Sequence, residues 1–245
     1  MLFTRDPANQ GASLDDQEAS VDDPVETRKA FHEALQELRA NVISVAALVT
    51  EQIGAATSAL LSADLDAVER VIENDAPIDA LIEEIGARCY VLLARQQPMA
   101  SDLRTIIAIL RIIPDLERSG DLMKNVAKAA RRLYPLELEP KVRGIITQMG
   151  VQATKQMRLA IDAFADVNLA EASALADMDD QMDELTKSLF RTILSSLTPD
   201  EGELQKAVQL ALVGRFYERV ADHAVNIADR VAFMVHGVLP EIELL

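Results

Sequence analysis

The chain has 245 residues, 49% of them hydrophobic and 26% charged, which is enough apolar material for a substantial core. Its formal net charge of -16 repels phosphate backbones and argues against direct nucleic-acid binding. Cys89 is the single cysteine, so no internal disulfide can form, and a cytoplasmic setting fits. We expect neither an export signal nor a membrane span, because no uninterrupted apolar run reaches the required length.

The spacing of apolar residues predicts an all-α protein, because they recur three and four positions apart with few interruptions by Gly or Pro. Residues 1–24 form an acidic arm without helical periodicity, and we expect this arm to be disordered. Pro114 predicts a kink inside the third helix. The predicted helices cover about residues 25–61, 66–96, 100–132, 141–165, 169–197 and 200–236.

An internal repeat relates the two halves of the chain. The second copy follows the first by 101 residues where Pro98 aligns with Pro199, and by 104 residues further upstream, where Asp75 aligns with Asp179. Short connections make consecutive helices antiparallel, so each half is predicted to be a three-helix bundle. The bundles would span residues 25–135 and 140–238 and be related by a pseudo-twofold axis.

The sequence E-R-x-x-D-x-x-x-N occurs once in each half. Residues four apart share one face of a helix, so each copy directs Glu, Asp and Asn oxygens the same way. These residues are Glu117, Asp121 and Asn125 in the first half, and Glu218, Asp222 and Asn226 in the second.

Antiparallel pairing of neighbouring helices brings further carboxylates level with these motifs. The predicted pairs are Asp79 with Glu117, Asp75 with Asp121, Asp183 with Glu218, and Asp179 with Asp222. Converging carboxylates repel each other unless a cation neutralises them or water solvates them. The hard oxygen ligands predict a divalent or ferric metal ion. They favour Mg²⁺, Mn²⁺, Ca²⁺ or iron over a structural Zn²⁺, and leave the metal unidentified among Mg, Mn, Fe and Zn.

Other interpretations of the acidic residues stay open. The carboxylates could form only a solvated face on a structural helical adaptor, or serve a carboxylate-bridged metalloenzyme or metal store. No Glu-x-x-His of a di-iron oxidase is present, and no nucleotide-binding or acyl-transfer motif occurs. We interpret His32, His223 and His236 as surface or core residues. Nothing resembles a catalytic nucleophile, so we expect a protein without enzymatic activity.

The chain resembles the PhoU family of phosphate-signalling regulators over about residues 26–238. The resemblance is carried by three segments in order, QQPMASDLR at 96–104, LERSGD at 116–121 and YERVADHAVNIA at 217–228. It implies two three-helix bundles and a homodimer. It also implies a cytoplasmic adaptor between a phosphate ABC transporter ATPase and a sensor histidine kinase, which represses the starvation response when phosphate is plentiful.

The resemblance also bears on the acidic motifs. Some members of the family bind metal clusters through repeated E/D-x-x-x-D motifs and others are metal-free; here these motifs correspond to Glu117, Asp121, Glu218 and Asp222. Ser119, Lys124 and Lys128 depart from the usual pattern. We expect Ser119 to weaken packing behind the first motif, and a lysine to neutralise part of the first acidic site.

Overall fold

The computed structural model describes residues 24–135, 138–196, 198 and 200–238. These residues form seven α-helices and no strand, which confirms the all-α prediction. The predicted acidic arm lies outside the described residues, apart from Pro24 at the start of the first helix. The helices are α1 Pro24–Ser62, α2 Leu65–Glu73, α3 Asp75–Gln96, α4 Ala100–Leu133, α5 Pro140–Asp166, α6 Leu169–Ser196 and α7 Glu201–His236.

The prediction of one unbroken helix over residues 66–96 is wrong, because the chain turns at Asn74 between α2 and α3. Pro77 lies in the first turn of α3 and has no N–H to donate to the carbonyl of Glu73, so an uninterrupted helix would lose a hydrogen bond there. The Asn74 N–H instead donates to the Arg70 carbonyl and closes α2. As a result, Asp75 begins a new helix. It lies in the first turn of α3, where the free backbone N–H groups of a helix stabilise a negative charge.

The two halves of the chain share one hydrophobic core, to which all seven helices contribute buried residues. Helix α5 runs antiparallel to α1. Arg39, in the first half of α1, donates to the Ala165 carbonyl at the end of α5 (2.9 Å), and Arg143, at the start of α5, donates to the Leu61 carbonyl at the end of α1. Helix α4 likewise packs antiparallel to α7, and Arg104 Nε donates to the Met234 carbonyl at 2.9 Å. The central layer therefore consists of α1, α4, α5 and α7, with α2 and α3 outside it in the first half and α6 in the second.

Helices α1 and α5 approach closely where Gly150 faces Thr57. A Cβ at Gly150 would lie 2.5 Å from Thr57 Oγ1, so only glycine fits without displacing that side chain. The Thr57 hydroxyl also forms a 2.7 Å hydrogen bond with the Tyr217 hydroxyl of α7. Three helices from both halves thus meet around one buried polar contact.

Two further predictions concern single residues. Helix α4 continues through Pro114, and the kink predicted there stays a prediction. Cys89 is fully buried, and burial raises the pKa of its thiol to about 11, as expected for a core residue. The segment Arg28–Ser62 of α1 is long and apolar enough to cross a membrane, but 56% of its most apolar 18-residue stretch is buried inside the fold.

Candidate functional site

The first acidic cluster comprises Asp75, Asp79, Glu117 and Asp121 on α3 and α4. Its centre is occupied by the ammonium group of Lys124, which forms ion pairs with Asp75 and, at 2.8 Å, with Asp121 Oδ1. The Asp75 side chain is 4% exposed and that of Lys124 is 23% exposed, so water screens this contact only weakly. The two carboxylates raise the pKa of Lys124, which keeps the lysine charged. The expectation that a lysine neutralises this cluster is therefore met by Lys124.

Neutralisation of the first cluster is incomplete at its edge. The pKa of Asp79 is raised, first by burial and then by the charge of Asp75, and Lys124 only partly opposes these effects. Glu117 is exposed and makes no ion pair with another described side chain. Lys128 makes no ion pair within the described part of the chain. No contact of its side chain therefore shows it neutralising the first cluster.

Gln52 of α1 supports the first cluster from inside the core, and the sequence motifs did not reveal it. Its amide nitrogen lies 3.4 Å from Asp75 Oδ1 and 3.4 Å from the Val71 carbonyl. A Cβ at Gly120 would lie 3.1 Å from Gln52 Oε1 and 3.3 Å from Asp75 Oδ1. The small residue at position 120 therefore allows α4 to pack closely on the buried carboxylate.

The second acidic cluster comprises Asp179, Asp183, Glu218 and Asp222 on α6 and α7. The pKa of Asp179 is raised by burial and by the charges of Asp222 and Asp183. The pKa of Asp222 is raised by burial and by Glu218, while Arg215 opposes the shift. These four carboxylates act on one another, as the helix alignment predicts. Arg215 forms an ion pair with Glu218 at the edge of the cluster.

Gln156 of α5 is the repeat counterpart of Gln52, at the same 104-residue offset that relates Asp75 to Asp179. It is fully buried, and among the described residues neither its amide nitrogen nor its oxygen has a hydrogen-bond partner at good geometry. The amide still lies close enough to Asp179 to lower the pKa of that carboxyl slightly. The offset of 104 was the signal that could have identified both glutamines.

The ammonium group inside the first cluster has no counterpart in the second. Lys124 of the first half corresponds to Val225 of the second. Asn125 and Asn226 are half-buried, and neither side chain forms a hydrogen bond with another described residue. Within the described ranges, no group of three or more His, Cys, Asp or Glu side chains is arranged to hold a metal ion. Metal binding at the second cluster would therefore require its side chains to move.

A polar contact between the halves involves Ser119 and His223, both buried in the α4–α7 interface. Ser119 Oγ donates to the Asp115 carbonyl at 2.7 Å and lies 2.9 Å from His223 Nδ1. Burial lowers the pKa of His223 to about 4, and the charges of Arg219 and Arg118 act in the same direction. His223 was interpreted as a surface or core residue, and it lies in the core. Ser119 contributes a contact that its sequence position alone did not indicate.

The other two histidines lie outside the clusters. His32 Nε2 lies 3.4 Å from Asp102 Oδ2, and His236 is exposed at the end of α7.

Comparison with known proteins gives consistent matches over most of the chain. A family model described as the PhoU domain matches twice, at residues 42–130 and 146–231. The chain is 38% identical over 216 residues to the phosphate-specific transport system accessory protein PhoU homolog 1 of Mycobacterium bovis, covering 87% of this chain and 96% of the relative. It is 31% identical to the PhoU homolog of Rhizobium meliloti, covering 86% and 90% of the two chains.

Solved structures agree with these matches. The crystal structure of PhoU from Pseudomonas aeruginosa superposes with a TM-score of 0.80 at 33% identity. The match covers 85% of this chain and 100% of the Pseudomonas chain. The phosphate transport system regulatory protein PhoU from Streptococcus pneumoniae gives a TM-score of 0.78 at 30% identity, covering 86% and 100%.

Proposed function

Because this chain belongs to the PhoU family of phosphate-specific transport accessory proteins, we propose that it is a cytoplasmic negative regulator of phosphate uptake and phosphate-starvation signalling. In this role it would act without catalysis, as an adaptor between the ATPase of a phosphate ABC transporter and a sensor histidine kinase. The observation that carries the proposal is the near full-length match to relatives named as accessory proteins of phosphate-specific transport.

The physical properties of the chain support an adaptor. Its helices form one packed core with long outer faces, which suit protein contacts better than they suit a small buried reaction site. The net charge of -16 argues against nucleic acid as a partner. We extend the proposal to a homodimer, which sedimentation equilibrium of the purified chain tests directly.

A chromosomal deletion tests the regulatory role. A reporter for phosphate-starvation genes should rise sharply in phosphate-rich medium, because removing an inhibitor of the kinase leaves the kinase active. Expression of this chain from a plasmid should restore repression. Unchanged reporter output in the deletion strain would contradict the signalling role and leave the metalloenzyme or metal-store alternative, which no arrangement of the described residues favours.

We also propose that metal binding, where it occurs, is confined to the second acidic cluster. The first cluster does not fit a metal ion, because the Lys124 ammonium already lies between Asp75 and Asp121. The second cluster fits by its donor chemistry. It has hard oxygen ligands and raised carboxyl pKa values. A bound cation would neutralise the mutual repulsion of these carboxylates. Elemental analysis of the chain purified in the presence of Mg, Mn, Fe or Zn tests this, and a chain that binds none of them contradicts it.

A further inference from the structure

A groove of ≈ 800 Å³ runs along the surface between α1 and α5. None of the acidic-cluster residues lines it. Its floor comes from Gly54, Ser58 and Leu61 of α1 and from Val151 and Leu159 of α5. Small side chains on α1 keep the floor low, so the backbone of a third helix could approach both helices closely.

The charge of this groove is opposite to that of the protein. In a chain of net charge -16, the lining includes Arg143, Lys155 and Arg158 but a single carboxylate, Asp162. Lys155 and Arg158 are exposed and form no ion pair with any side chain that the structure describes, whereas Arg143 donates to the Leu61 carbonyl at 2.5 Å. The two unpaired cations are therefore available to a ligand without the loss of an internal contact.

The outer face of α1 is unusually free of charge. Between Arg39 and Asp64 the only ionisable side chain is that of Glu51, which lines a different surface depression beside Val71 and Asn74. The solvent-facing side of a 39-residue helix ordinarily carries charged residues as well as neutral polar ones. The near absence of charge on this face of α1, next to the basic edge of α5, is typical of a contact surface with an apolar centre and a polar rim.

We propose that the α1–α5 groove binds an acidic amphipathic helix of a partner protein in phosphate signalling, an inference that rests on the function proposed above. The cations extend over 15 residues of α5, or roughly 22 Å at 1.5 Å per residue, from Arg143 to Arg158. A compact anion cannot contact both ends of such a row. A helix of about four turns can, with its apolar face on Leu61, Val151 and Leu159 and its carboxylates along the basic edge.

Two variants remove the two features of the groove separately. Gly54→Phe fills the floor, and because a Cβ there meets nothing within 4 Å, the ring projects into the groove and not into the core. Its matched control is Gly144→Phe on α5, where a Cβ also meets nothing within 4 Å and which does not line the groove. Lys155→Glu/Arg158→Glu reverses the basic edge. Lys187→Glu/Arg191→Glu on exposed positions of α6 changes the net charge by the same amount.

The probes are two purified proteins of the same organism, the ATPase subunit of the phosphate transporter and the cytoplasmic part of the kinase. Affinities of the full chain and its variants are measured by isothermal titration calorimetry. Each groove variant should weaken binding to at least one probe by about ten-fold or more, while each control changes it less than about two-fold. The charge-reversal effect should shrink at high salt.

Other outcomes overturn the inference. If the parent chain binds a probe and both groove variants bind it equally well, the docking site lies elsewhere and the proposed function stands. If the parent chain binds neither probe, the adaptor role fails and this inference fails with it. Two outcomes would assign the groove to another ligand, if Gly54→Phe leaves binding of the probes unchanged. Loss of binding to phosphatidylglycerol vesicles in this variant would assign the groove to a membrane surface. Loss of self-association would assign it to a second copy of the chain.

Discussion

Replacing Lys124 with methionine should destabilise the protein more than any other single change of a partly exposed lysine. Methionine keeps the length of the side chain but leaves the carboxylate of Asp75, 4% exposed, without its cation. Removing one partner of a buried ion pair costs about 3 to 5 kcal/mol. Because the Lys124 side chain is itself 23% exposed and water can enter, we expect about 3 kcal/mol, the lower end of this range.

Thermal and urea unfolding measure this loss. For a chain of this size a loss of about 3 kcal/mol lowers Tm by roughly 6 to 12 °C. Lys128→Met, on the same helix and without an ion pair to a described residue, is the matched control and should change stability by less than about 0.5 kcal/mol. The double variant Lys124→Met/Asp75→Asn should recover most of the loss, because the amide is neutral and retains an oxygen for Gln52.

A different result would refute this reasoning. If Lys124→Met and Lys128→Met have the same unfolding free energy, the ammonium contributes nothing to the folded state. If Asp75→Asn fails to recover stability in the double variant, the cost arises from lost packing and not from an uncompensated buried charge. In either case the proposal that the first cluster is neutralised from within the chain would fall.

Acid should destabilise the parent chain through His223, because its pKa is lowered from 6.5 to about 4 and the unfolded chain therefore binds a proton that the folded chain rejects. The loss begins as pH falls below 6.5 and approaches roughly 3 kcal/mol near pH 4. Urea unfolding at pH 7 and pH 4.5 should show a smaller fall in His223→Gln, and an equal fall in both proteins would exclude His223 as the cause. At the acidic clusters, Asp222→Asn should reduce bound metal per chain while Asp121→Asn leaves it unchanged, with folding checked by circular dichroism. Lys124→Val, which gives the first cluster the residue of the second, should add metal to the first cluster; equal losses from both Asp variants would contradict the asymmetry.

The sequence by itself determined the helical class, most helix bounds and the internal repeat. Apolar residues three and four apart define a buried stripe whatever the stripe packs against, so α4 and α7 could be predicted within one or two residues. The same periodicity placed Asp179 and Asp222 at matching heights on neighbouring helices. Local backbone chemistry was less visible, because a proline near a helix start is compatible with either a first turn or a break, and at Pro77 the chain breaks at Asn74.

Only the tertiary structure decided which lysine neutralises the first acidic cluster and which carboxylates it contacts. Asp75, one of the two partners of Lys124, lies 49 residues away, and whether the ammonium reaches it depends on how closely α3 and α4 pack and on the side-chain rotamers. The 104-residue contact between Ser119 and His223 depends on the α4–α7 interface in the same way. Residue spacing records which side of a helix a group occupies, but not which helix covers that side. For the same reason the α1–α5 groove became visible only once both helices had been placed side by side.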